Sequence, residues 1–216
     1  MELLTPCLLI AVAYLLGSVS FAVVTSRMFR LPDPRTFGSG NPGATNMLRG
    51  GNRTAALLTL IGDTLKGMLA LWLAQAFLLP GAALDAAGSS VQTGLAQVNT
   101  VLALVALAAF LGHLYPVFFR FQGGKGVATA AGLLLVLHWP LGLGTLLVWV
   151  AVFLFTRVSS VAALSAAIMA PLFALLTVHN AVTRLVVLLM SVLLIWRHRS
   201  NIRKLLAGEE AAFKRR

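Results

Sequence analysis

Residues 99–126 read NTVLALVALAAFLGHLYPVFFRFQGGKG. The stretch opens with a run of 21 residues, 99–119, in which apolar side chains dominate and no Asp, Glu, Lys or Arg occurs. It then turns abruptly into Arg120 and the glycine-rich cationic run QGGKG at 122–126. About 20 apolar residues are what a helix needs to cross the hydrocarbon core of a bilayer. A cluster of cations directly behind such a run is how a chain marks the cytoplasmic end of a span.

The same alternation recurs on both sides of this segment. Apolar runs fall at 7–27, 55–79, 99–119, 127–140, 141–156, 158–178 and 182–196, and the charges gather in the gaps. The hydrophobic residues reach 59% and the charged residues only 11%, which excludes an ordinary soluble domain. The expected fold is all-α: a polytopic membrane bundle of about seven transmembrane helices, one transmembrane domain over residues 1–216. His138-Trp139-Pro140 with Gly142 and Gly144 breaks the middle of the chain, so 127–156 reads as two short tilted spans or one re-entrant hairpin. The N-terminal run does not read as a cleaved leader. It carries Glu2, has no basic residue before Arg27, and is longer than a leader's apolar core.

Charge sets the orientation. With the N-terminus outside, the inside regions hold Arg27, Arg30, Arg35, Arg49, Arg53, Arg120, Lys125, Arg157, Arg197, Arg199, Arg203, Lys204, Lys214, Arg215 and Arg216. These are 15 of the 17 basic residues, and the opposite orientation would export nearly all of them. The net charge of +11 is therefore a matter of topology, and no nucleic acid partner is implied. The 80–98 stretch reads as an ordinary external connector.

Three blocks on the inside carry chemistry. GSGNPGATN at 38–46 packs three glycines, a serine, a threonine and two asparagines into nine positions, with Arg49 and Arg53 directly behind. Such a loop has no apolar face to bury. Its glycines, Gly38, Gly40 and Gly43, free the backbone to aim N–H groups at an anion, and Ser39, Asn41, Thr45 and Asn46 add polar contacts. If a helix runs on from Pro42 or Thr45, Asn46, Arg49 and Arg53 share one face. The plain alternative is a polar loop with topology-setting arginines. The second block sets Lys125 among Gly123, Gly124 and Gly126, a flexible cationic turn that opens the next span; an ammonium there suits phosphate as a point charge. His113, about two turns above Arg120, reads as a hydrogen-bonded structural residue. The third block is WRHRSNIRKLLAGEE at 196–210, in which His198 and Asn201 fall on one helix face and Glu210 is placed to pair with a basic loop. Ile202, Leu205 and Leu206 form a small apolar stripe suited to the membrane surface. Asp63 and Lys66 interrupt the second apolar run; at i, i+3 they read as a structural ion pair.

What is missing narrows the chemistry. Cys7 is the sole cysteine, and no HExxH, carboxylate cluster or Gly-x-Ser-x-Gly elbow occurs, so neither metal nor cofactor is expected. No His-x4-Asp surrounds any of the four histidines, which removes the general-base arrangement of acyl-CoA-dependent glycerophosphate acyltransferases.

GSGNPGATN with Arg49, GHLYPVFFRFQGGKGVAT and HRSNIRKLLAGEE together resemble the three signature regions of the bacterial membrane acyl-phosphate:glycerol-3-phosphate acyltransferase family, in order and spacing. Asp63-x-x-Lys66-Gly67 is similar too, and the likeness covers nearly the whole chain. The resemblance implies transfer of a fatty acyl group from acyl phosphate to the 1-hydroxyl of sn-glycerol 3-phosphate, giving lysophosphatidic acid and phosphate, at the cytoplasmic face of a bacterial inner membrane. It implies the lipid bilayer as environment, and an obligate protein partner is not indicated. Ser39, Arg49, Lys125, His198 and Asn201 become the expected catalytic residues. Gly38, Gly40, Asn41, Gly43, Thr45, Asn46, Gly123, Gly124, Gly126 and Glu210 become the expected substrate-binding residues. The rival from another class is a transporter or channel for phosphorylated organic anions. It would want anion sites on both faces and repeated halves, and neither is visible.

Overall fold

The computed structural model describes residues 3–85, 91–210 and 212–213. Among the described residues ten α-helices follow one another: α1 Leu4–Gly17, α2 Phe21–Met28, α3 Ala44–Arg49, α4 Arg53–Asp85, α5 Val91–Leu114, α6 Val127–Leu137, α7 Trp139–Thr156, α8 Ser159–Thr177, α9 Ala181–Arg197 and α10 Arg199–Leu206. A single 3-10 turn, Val117–Phe119, follows α5, and no strand occurs among the described residues. Among the described residues four segments are long and apolar enough to cross a membrane unaided: Arg53–Leu79, Gly94–Phe119, Trp139–Thr156 and Ser159–Thr177. The count rises to six if α1 with α2, and α9 with α10, are each one bent span. The expected seven would need α6 as well. Its 11 residues rise only about 16 Å, roughly half of the hydrocarbon thickness.

The centre is α5, which packs on α1, α4, α6 and α9. Helices in lipid gain little from burying apolar surface, so they associate through close contact at small residues. That is the pattern here. A methyl group on Gly17 would collide with the Ala109 carbonyl, and one on Gly112 with the Tyr14 carbonyl, so α1 and α5 touch backbone to backbone. Gly132 seats α6 on the Thr64 carbonyl of α4 in the same way.

Several boundaries differ from the sequence expectation, each for a local reason. The first apolar run is two helices bent by 42° around residues 18–20. The break frees backbone carbonyls at membrane depth, which must find a donor. Lys66 supplies one: its ammonium donates to the Val19 carbonyl at 2.6 Å while pairing with Asp63 at 2.8 Å. Asp63 and Lys66, both buried, form the expected ion pair; Lys66 also caps the broken span, and Asp63 faces the cavity described below. Between the fourth and fifth runs the break falls at His138, the first residue of the expected cluster, so the fourth run ends at Leu137 and not at 140. Pro140 sits in the first turn of α7, where its missing N–H costs nothing. The 80–98 stretch is not an extended connector, since α4 runs to Asp85 and α5 begins at Val91. Its residues 86–90, and Lys214, Arg215 and Arg216 of the basic tail, lie outside the described residues.

Candidate active site

The 38–53 block folds as a loop, a short helix and a second break. Gly38, at φ +59°, turns the chain so that the Asn46 side chain fills the space where a Cβ would stand. Asn46 is buried and its amide is fully engaged by the loop itself. Oδ1 accepts from the Ser39 N–H at 2.9 Å and from the Ser39 hydroxyl at 3.2 Å, and Nδ2 donates to the carbonyls of Pro34 and Phe37 at 2.8 and 3.1 Å. Asn46 therefore organises the loop from behind. The helix α3 ends at Arg49, and Gly51 at φ +91° breaks it before Arg53. The continuous face expected from Asn46 through Arg53 does not form. Asn52 caps α4, accepting from the Ala55 N–H at 2.8 Å, and Arg53 opens that helix.

The second block hangs between α5 and α6. His113 is buried, with its Nδ1 3.1 Å from the Thr129 hydroxyl and 3.7 Å from Asp63. Its carbonyl accepts from the Gly124 N–H at 3.2 Å. His113 is hydrogen-bonded, as expected, and it also lines the cavity described below. In the third block His198 is the joint between α9 and α10, which meet at 55°. Its Nδ1 lies 2.8 Å from the Leu194 carbonyl, so that nitrogen carries the proton and Nε2 is left basic. Burial pulls His198 down to about 4, against the Leu194 carbonyl, which favours the charged ring.

These blocks meet at one end of the bundle. Ser39, Arg49, Lys125, His198 and Asn201 line a single cavity of about 420 Å³, together with Asn41, Gly43, Thr45, Asn46, Gly126 and Glu210. Gly38, Gly40, Gly123 and Gly124 do not line it; Gly123 and Gly124 stand behind the wall, where a Cβ on either would collide with His113. Lys125 donates to the Asn201 side-chain oxygen, and the Asn201 amide donates to Glu210 at 2.7 Å. Burial, reinforced by Arg49 and Arg197 and opposed by the Glu210 carboxylate, brings the Lys125 ammonium down to about 8. The Arg49 guanidinium stands 5.9 Å from the Phe213 ring. Below this cationic rim the cavity continues between α4, α6, α7, α8 and α9, walled by Leu60, Leu134, Leu135, Leu146, Val150 and Val187 among others.

The sequence reading missed the start of α8. The Ser159 hydroxyl lies 3.1 Å from that of Thr45, and the Ser160 hydroxyl donates to Glu210 at 2.9 Å; both serines line the cavity. Their signal was present, as a polar pair beside Arg157 in the short gap between two apolar runs, but serine is too common for that pair to stand out. Trp149 is also on the wall.

Comparison with known proteins gives concordant results. A family model described as glycerol-3-phosphate acyltransferase matches residues 7–208. A glycerol-3-phosphate acyltransferase of Burkholderia ambifaria (strain AMMD) is 59% identical over 203 residues, which cover 93% of this chain and 87% of that one. Its counterpart in Burkholderia pseudomallei (strain 1710b) is 58% identical over 201 residues, 92% of this chain and 91% of that one. The crystal structure of PlsY, an integral membrane glycerol 3-phosphate acyltransferase, in its glycerol 3-phosphate form superposes with a TM-score of 0.82 at 37% identity, covering 97% of this chain and 96% of that one. The lysophosphatidic acid form of PlsY gives 0.80 at 36% identity, with 97% and 95% covered.

Proposed function

The chain belongs to the glycerol-3-phosphate acyltransferase family, and on that footing we propose that its cavity transfers a fatty acyl group from acyl phosphate to the 1-hydroxyl of glycerol 3-phosphate. It is an integral membrane acyltransferase; the donor and the roles of the individual residues are our reading. One observation supports that reading above the others. Two cations from distant segments, Arg49 and Lys125, meet His198, Asn201 and Glu210 of the tail on the wall of a cavity whose remaining lining is mostly apolar. A phosphate group and an acyl chain in one molecule fit that division. The anion-transporter alternative has no comparable support.

In the proposed reaction the glycerol oxygen attacks the acyl carbon, the bond from that carbon to the phosphate oxygen breaks, and inorganic phosphate leaves with the hydroxyl proton. Charge builds on the departing phosphate. Arg49 and Lys125 are fixed cations placed to neutralise it, and such fixed charges act at full strength where water is excluded. Ser39 and the backbone around Asn41 and Gly43 grip the second anion. His198 and Asn201 orient the acceptor, and Glu210 holds Asn201 and Ser160 in register. Purified protein given acyl phosphate and glycerol 3-phosphate should release phosphate and form lysophosphatidic acid. Substituting acyl-CoA should abolish the product, and robust transfer from acyl-CoA would refute the donor.

We further place the cavity on the cytoplasmic side of the inner membrane, because that orientation keeps 15 of 17 basic residues inside. In a Cys7→Ser background, single cysteines at Arg35, Gln122 and Ser200 should resist an impermeant thiol reagent added to intact cells. A cysteine at His179, between α8 and α9, should react. Labelling of any of the first three from outside would reverse the topology.

A further inference from the structure

Arg197 ends α9 one residue before His198 and has no role in the reaction outlined above. Its guanidinium leaves its own helix and grips the loop that carries Lys125. Nε donates to the Gly124 carbonyl at 3.1 Å and Nη2 donates to the Gly123 carbonyl at 2.7 Å. The guanidinium carbon lies 5.6 Å from the Tyr115 ring centre, and the Tyr115 carbonyl is itself held by the Tyr14 hydroxyl at 2.7 Å. His113 holds the same two glycines from the other side, through the Gly124 N–H and by close backbone contact at Gly123.

The need for such a grip follows from the loop's composition. Glycine backbone is freely mobile, and a lysine stem has four rotatable carbons, so nothing in QGGKG fixes the ammonium. A planar fork can satisfy two consecutive carbonyls at once; an ammonium cannot match that geometry. We propose that Arg197 is a positioning residue: it clamps the Gly123 and Gly124 carbonyls so that Lys125 meets Asn201 and the cavity, and it ties the loop bearing Lys125 to the helix end bearing His198. This rests on the reading that Lys125 holds phosphate during acyl transfer from acyl phosphate.

The test is a double-mutant cycle on purified protein, with kcat and KM measured for acyl phosphate and for glycerol 3-phosphate in wild type, Arg197→Ala, Lys125→Ala and the double variant. Arg197→Ala should lower kcat/KM about 30-fold, the scale expected when a misplaced catalytic charge loses its two supports. In the Lys125→Ala background the same change should cost no more than about 3-fold, because the group being positioned is gone. Arg197→Lys, which keeps the charge but offers one donor nitrogen in place of the planar fork, should recover only part of the loss. Losses that multiply in the double variant would show that Arg197 supports the fold independently of Lys125, and would overturn the proposal. So would Arg197→Ala at full activity. Thermal unfolding in detergent accompanies each variant; if Arg197→Ala does not fold, Arg197→Lys enters the same cycle and is judged by the same coupling. A wild-type protein that fails to transfer from acyl phosphate would instead overturn the functional reading, whereas an active wild type with multiplicative losses overturns the clamp alone.

Discussion

Lys125→Ala and Arg49→Ala should each lower kcat/KM by at least about 100-fold, since removing one preorganised contact to charge that develops in the transition state costs roughly 3–4 kcal/mol. Both side chains line the cavity rim, and Lys125 is largely withdrawn from solvent. Arg49→Lys should restore little if the guanidinium binds phosphate through two N–H groups, because an ammonium offers no fork. Lys125→Arg is the sharper probe, because it separates charge from titration. Burial brings Lys125 down to about 8, so the ammonium is present below that pH and is lost as the pH rises through it. The wild-type kcat/KM should therefore fall on the alkaline side with an apparent pKa near 8, while Lys125→Arg, however slow, should lose that limb. A flat wild-type profile to pH 9 would remove the Lys125 charge from the rate-determining chemistry.

The position of these cations was legible because membrane topology and local spacing both act through short stretches of chain. Arg120 and Lys125 mark a membrane boundary on their own, and the i, i+3 offset of His198 and Asn201 holds in any helical turn. What stayed hidden depends on partners far along the chain. The break at residues 18–20 is tolerated because Lys66, 47 residues away from Val19, donates into it. From the sequence Lys66 could only be paired with its neighbour Asp63. Asn46 reads as a substrate contact and does line the cavity, but its side chain also holds Ser39 and the carbonyls of Pro34 and Phe37 that lead into the loop. Propensity could not show that a residue so polar would be the loop's own core. Arg49 and Arg53 appeared equivalent by helical arithmetic. Gly51, in a conformation that helices do not contain, separates them. Ser160 reaches Glu210 across 50 positions, a pairing that only the packing of α8 against the tail brings about.

His198→Ala should weaken acceptor binding while leaving measurable turnover, and that split decides how the proton moves. A general base works best when its pKa lies near the operating pH. Burial holds His198 at about 4, and its Nδ1–H is tied to the Leu194 carbonyl, so the ring is neutral and its free nitrogen is a feeble base. Acyl phosphate already contains a good leaving group with oxygens able to accept the hydroxyl proton as the bond breaks. On the mechanism proposed above, the substrate's own phosphate is therefore the acceptor, with His198 and Asn201 orienting the glycerol hydroxyl. Loss of one hydrogen bond to a charged substrate costs about 1.5–3 kcal/mol. His198→Ala should accordingly raise the KM for glycerol 3-phosphate roughly 10- to 100-fold with a smaller change in kcat, and His198→Gln, which can still accept a hydrogen bond, should recover part of it. The acid side of the kcat profile should be the same in wild type and His198→Ala, because the folded protein keeps this ring neutral far below about 6.5, the pKa of an unperturbed imidazole, and any limb at about 6 belongs to the substrate's own phosphate. An acid limb at 6.5 together with total loss of kcat in His198→Ala would make His198 the obligatory base. Unchanged kcat and KM in that variant would take His198 out of the site and leave the tail as a membrane anchor.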